Sequence, residues 1–201
     1  MWHTNMPNYG NPMNTHHDIW LLRHGETEWS LSGAHTSRTD LPLTAEGERR
    51  AALLKDVLAG KQFALTLSSP MRRALDTARL AGYSPEITDD LCEWDYGEYE
   101  GLTTPEIWKV SPGWTIWTRT PPGGESAEQV RVRAERVIAR AVAAPGDVAL
   151  FAHGHFLRVI GACWLGLDVG AGRLLALSTG SVSVLGHERD THVLKLWNRD
   201  T

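Results

Sequence analysis

Asp18-Ile19-Trp20-Leu21-Leu22-Arg23-His24-Gly25 is the stretch on which the fold turns. An unbroken apolar run, too short for an ordinary helix and stopped abruptly by Arg-His-Gly, reads as a strand buried on both faces that runs into a loop. A second run of the same kind, 147–152, stops in the same way at His153-Gly154. Residues 63–67 predict a third buried strand and 86–88 a short fourth. Helical patterns fall between them. Thr44 caps a helix to about Ala59, with Glu46 and Glu48 in its first turn and Gly60 beyond it. Ser69-Pro70 opens a helix through Ala81, with proline in the first turn and Gly82 past the end. Ser126 and Gln129 make a capping box for a long helix to about Ala143. Further helices are predicted over 155–165 and, shorter, over 106–110, and a closing strand pair over 181–185 and 192–197. Strands alternating with helices predict an α/β fold. The expectation is a three-layer α/β/α sandwich, its central sheet mostly parallel, with helices on both faces. Pro112, Pro121, Pro122, Gly123 and Gly124 mark 97–125 as a small loop-rich cap.

At 201 residues the chain suits a single domain, expected over 18–201. Residues 1–17, polar and rich in Asn, Pro and His, read as a disordered extension with no part in the chemistry. The formal charge of -4 argues against a nucleic-acid partner, which would need a basic face. The two cysteines, Cys92 and Cys163, stand far apart and read as free thiols. Apolar runs fall short of a membrane span, and the N-terminus lacks the charged and apolar regions of a secretory signal. A cytoplasmic protein with no membrane partner is therefore expected; a homodimer is left open.

In open α/β sheets ligands sit beyond the carboxyl ends of the strands. Both His-Gly pairs end strands, so His24 and His153 face one crevice. Arg23 precedes the first of them, and Arg73 lies in the first turn of the helix after the 63–67 strand. Two imidazoles and two guanidiniums suit a dianionic phosphoryl group. His153-Gly154-His155 invites a zinc reading, but no cysteine or carboxylate pair completes it and two arginines oppose a cation, so no metal and no cofactor are expected. Neither cysteine begins a Cys-x5-Arg loop: Glu98 and Val169 occupy the arginine's place. Nine tryptophans, four of them (Trp94, Trp108, Trp114, Trp117) around the cap, suggest a sugar-stacking wall, with core packing the better account for most.

Arg23-His24-Gly25-Glu26-Thr27-Glu28-Trp29 resembles the opening motif of the histidine phosphatase superfamily, the phosphoglycerate-mutase-like proteins. Leu41-Pro42-Leu43-Thr44, Ser68-Ser69-Pro70-Met71-Arg72-Arg73-Ala74, Glu93-Trp94-Asp95-Tyr96-Gly97 and Ala152-His153-Gly154 match in the same order. The resemblance implies that His24 is a nucleophile forming a phosphohistidine. It further implies that Arg23, Arg73 and His153 hold the equatorial phosphoryl oxygens, and that Glu93 serves as general acid and then base. Gly25 and Gly154 would let backbone approach the phosphate, and Ser30, Thr36, Ser37, Tyr96 and His155 would border the substrate. Arg72 reads as a solvated helix charge.

A mutase that retains a bisphosphorylated intermediate needs extra cations, and 97–120 holds just Lys109 and Arg119. The reading is therefore a metal-independent phosphomonoester hydrolase acting on sugar phosphates or other small phosphate esters, of the acid phosphatase or sedoheptulose-bisphosphatase-like branch. A phosphoglycerate mutase and a non-catalytic phosphate-binding protein are the alternatives. In the bisphosphatase case Arg158, one turn beyond His155, is the candidate for a second phosphate. Ala34, where many relatives carry Arg, removes one cation from the pocket.

Overall fold

The computed structural model describes residues 16–201. Six strands form one sheet: β1 (Ile19–Arg23), β2 (Leu65–Ser68), β3 (Glu86–Ile87), β4 (Val148–Ala152), β5 (Val182–Glu188) and β6 (Thr191–Arg199), in the order β3-β2-β4-β1-β5-β6. The first four in that order run parallel; β5 and β6 close the far edge antiparallel. The period-two alternation of a strand sends its residues to two separate cores. Ile19, Leu21, Val148, Leu150 and Ala152 pack on one side, against Val130, Ala134 and Val137 of α5 (Ala127–Val142) and Phe156 and Ile160 of α6 (Gly154–Trp164). Leu22, Ala149 and Phe151 pack on the other, against Leu54 of α2 (Ala45–Val57) and Ala78 of α3 (Arg72–Leu80). This is the expected three-layer α/β/α sandwich. Each of those leucines or phenylalanines, fully buried, contributes about 1.5–3 kcal/mol of transfer free energy.

Several local expectations shift. Pro70 lies before α3 rather than in its first turn. Met71 takes the N-cap position without a side-chain cap, and the Arg72 N–H donates instead to Asp40 Oδ1 at 2.7 Å, a cap brought from another loop. A short helix, α1 (Glu28–Ser32), follows the first loop; its Thr27–Ser30 box lacks the Glu or Gln that announces such a start in a sequence. The cap contains α4 (Thr104–Val110) and is no loose appendage. Tyr99, Ile107, Trp114 and Ile116 from it belong to the main core.

Trp94 and Trp114 are buried there and Trp117 partly so, while Trp108 is 47% exposed, so the four do not form one stacking wall. Residues 1–15 of the expected extension lie outside the described residues. Its last two are held on the domain: His17 Nε2 lies 2.8 Å from the Ala141 carbonyl, and the His16 ring stacks on His187. Cys92 and Cys163 are both free and half-buried. No helix among the described residues is long and apolar enough to cross a membrane.

Candidate active site

Register builds the site. Arg23 pairs with Ala152 across the parallel β1–β4 ladder, so the residues that follow each strand emerge side by side. The His24 N–H donates to the Ala152 carbonyl at 3.0 Å, and the His24 and His153 rings end 5.2 Å apart. The end of β2 is aligned with them through Ser68 and Phe151, which brings Ser69 Oγ to 2.8 Å from His153 Nε2.

His24 is buried, with a 2.7 Å contact from Nδ1 to the Gly25 carbonyl. A carbonyl can only accept, so Nδ1 carries the hydrogen and Nε2 keeps its lone pair. Burial, reinforced by the charges of Arg73 and Arg23, holds this imidazole well below its usual range. Arg23 lies against Gly154: a Cβ there would stand 3.1 Å from the guanidinium carbon, a tight approach that glycine avoids. One Nη of Arg23 donates to the Leu177 carbonyl, and its buried Nε has no partner among the described residues. A cation with a buried, unpaired donor beside a cavity fits an anion.

Arg73 is fully buried and differently engaged. Nε donates to His153 Nδ1 at 3.2 Å, Nη1 to the Thr39 carbonyl, and Nη2 to the carbonyls of Thr36 and Ser37. It therefore organises the 36–39 loop and acts on His24 mainly through its charge. Because His153 Nδ1 accepts from Arg73, its proton sits on Nε2 and points to Ser69; burial, then Arg73, keeps this ring neutral. Glu93 is anchored by three backbone donors: Oε1 accepts from Trp94 and Phe156 and Oε2 from His155. Two of these are in the first turn of α6, so the positive end of that helix faces the carboxylate.

Arg23, His24, Ser30, Thr36, Glu93, Tyr96, Gly154, His155 and Arg158 line one cavity of about 260 Å³. Arg158 donates from Nε to the Gly172 carbonyl and stacks its guanidinium 4.6 Å from the Trp117 ring centroid. Other expected residues are used differently. Ser37 is buried away from this cavity, its N–H and hydroxyl both donating to Glu100. The Ser30 hydroxyl donates to the Thr27 carbonyl and accepts the Thr27 N–H, so it caps α1 and keeps no free hydrogen for a ligand. Gly25 is required by a neighbouring helix rather than by phosphate: its Cβ would fall 2.6 Å from the Gly47 carbonyl oxygen. His155 Nδ1 takes the Tyr96 hydroxyl and His153 Nδ1 takes Arg73, so the His-Gly-His pair does not converge on a common point. Arg72 is exposed and pairs with Asp76. The cavity also exposes Trp29, which closes the opening motif, and His35 and Thr104, which no sequence motif singled out.

A sheet of this order, with a neutral histidine at the end of β1 and an arginine at its flank, defines an α/β protein whose cavity suits an anionic ligand. The model of the histidine phosphatase superfamily, branch 1, matches residues 19–200, and the chain belongs to that family. Phosphatase is its enzyme class. It is 42% identical over 183 residues to an acid phosphatase of Mycobacterium tuberculosis, covering 89% of this chain and 90% of that protein. It is 36% identical to a sedoheptulose 1,7-bisphosphatase of Saccharomyces cerevisiae, covering 74% of this chain and 68% of the other. A solved structure of an open reading frame from Mycobacterium tuberculosis superposes with a TM-score of 0.87 at 40% identity, covering 92% of this chain and 98% of that one.

Proposed function

We propose that the protein hydrolyses small phosphomonoesters without a metal, through a phosphohistidine on His24. The observation that carries this reading is a His24 Nε2 left free by the Nδ1 contact to Gly25, in a cavity that Arg23 and Glu93 also line. In the first step Nε2 attacks phosphorus in line, the bond to the ester oxygen breaks, and Glu93 gives that oxygen a proton. In the second, Glu93 takes a proton from water, which attacks phosphorus and returns His24 to its neutral form. Arg23 and Arg73 offset charge on the equatorial oxygens, Arg73 from within the wall. His153 fixes Arg73 through its Nδ1. Arg158 adds a cation at the Trp117 side, where a second anionic group of a sugar bisphosphate would be received.

The mutase alternative finds less support. Lys109 and Arg119, the cations of 97–120, are exposed and neither lines the cavity. The test is turnover of para-nitrophenyl phosphate with and without chelator, together with acid-quench trapping of labelled phosphate. Chelator-resistant turnover and an acid-labile label, both lost in His24→Ala, are expected. Full turnover by His24→Ala, or a labelled substrate that never marks the protein, overturns the mechanism.

A further inference from the structure

The cavity has a second pair of imidazoles, His35 and His155, whose rings are parallel within 1° with centroids 6.2 Å apart. Tyr96 stands edge-on to both, at 4.8 Å and 5.8 Å. Each ring is locked in one tautomer, and the two tautomers are opposite. His35 Nδ1 lies 2.8 Å from the Leu102 carbonyl, so the hydrogen is on Nδ1 and the neutral ring offers a lone pair at Nε2. His155 Nδ1 lies 2.6 Å from the Tyr96 hydroxyl. That hydroxyl is buried, has no other partner among the described residues, and stays protonated because burial, then Glu93, push the phenol well above its usual range. It must donate, since an O–H left without an acceptor is costly. His155 Nδ1 therefore accepts, and its hydrogen sits on Nε2. Burial, followed by Arg158 and His35, keeps this ring neutral.

Neither Nε2 has a protein partner among the described residues, and neither is a buried orphan, so both open on the cavity their residues line. One wall thus presents an acceptor and a donor.

We infer that His35 and His155 form a hydroxyl-reading subsite selecting polyol or sugar phosphates, His35 accepting a hydrogen from the leaving group's hydroxyls and His155 donating one to them. The inference rests on the hydrolase reading of His24 and assigns the class of alcohol released. An alkyl chain in the same place would leave both nitrogens dehydrated and unpaired, which a site built to bond a hydroxyl rejects strongly.

The experiment compares kcat/KM for glycerol 1-phosphate and n-propyl phosphate, esters of equal charge and chain length that differ in their hydroxyls. Para-nitrophenyl phosphate serves as the common control for turnover. The wild-type protein is expected to favour the glycerol ester by about tenfold or more. His35→Phe keeps a ring against Tyr96 and Trp114 but removes the lone pair, and should bring the ratio within about threefold of unity. His35→Asn, which restores a side-chain carbonyl, should recover part of the preference. A wild-type ratio near one sinks the inference without any variant, as does a His35→Phe ratio equal to wild type. In either case control turnover leaves the hydrolase reading standing, whereas silence on all three esters removes that reading first.

Discussion

His24 is neutral because its surroundings oppose a charge: it is buried, two guanidiniums lie near, and its one N–H is committed to a carbonyl. Glu93 is held in place by three backbone N–H groups. Its proposed role is tested by the leaving group. Glu93→Gln cannot supply a proton, so kcat/KM for an alkyl phosphate should fall about 100-fold or more. The loss on para-nitrophenyl phosphate, whose phenolate leaves without protonation, should be much smaller. Equal losses on the two would count against proton transfer. At this scale the sequence was a partial guide. Residue type and motif named His24, Glu93 and Arg23, but could not reveal that the hydroxyls of Ser30 and Ser37 are engaged by Thr27 and Glu100. His35 escaped notice because its significance lies in a ring parallel to it, 120 residues away in the chain.

At the scale of elements, α5 holds Glu93 in place from behind. Arg133 uses all five of its N–H groups: two on the Glu125 carboxylate and the others on the carbonyls of Asp90, Cys92 and Glu93. Its guanidinium also lies 4.1 Å from the centroid of Phe156, whose own N–H reaches Glu93. Arg133 is therefore a positioning residue for the acid. Arg133→Met should lower kcat by about tenfold or more with KM little changed, and Arg133→Lys, lacking the planar fork, should restore little of it. The discriminating measurement is leaving-group sensitivity: a variant that slows alkyl and para-nitrophenyl esters alike would show a purely structural role. The helix itself was legible, since Ser126 and Gln129 form the expected capping box at its start. Its use as a clamp was not, because the carbonyls it grips belong to a segment more than 30 residues earlier.

The whole molecule carries a linked titration. His24, His153 and His155 are all buried and held well below the usual imidazole range. In the unfolded chain each binds a proton near pH 6.5, which the folded state refuses until much lower pH. Stability contributed by these sites is complete above pH 6.5 and declines as pH falls below it, by about 1.4 kcal/mol per pH unit for each site. Denaturant titrations between pH 6.5 and 5 should register this slope, and His155→Gln should reduce it by about one proton's worth. An unchanged slope in that variant would mean the ring is already charged when folded. The alternation of strands with the longer helices, the buried character of β1 and β4, and the residues proposed to bind a phosphoryl group were legible in the sequence alone. Apolar runs, caps and His-Gly endings are local signals, and local chemistry suffices to read them. The β1–β4 register that sets two histidines side by side was decided by the tertiary structure, as were the tautomers fixed by Gly25, Leu102, Arg73 and Tyr96 and the clamp on Glu93. Each of these depends on which distant group supplies a hydrogen-bond partner, and only the folded chain brings those groups within about 3 Å.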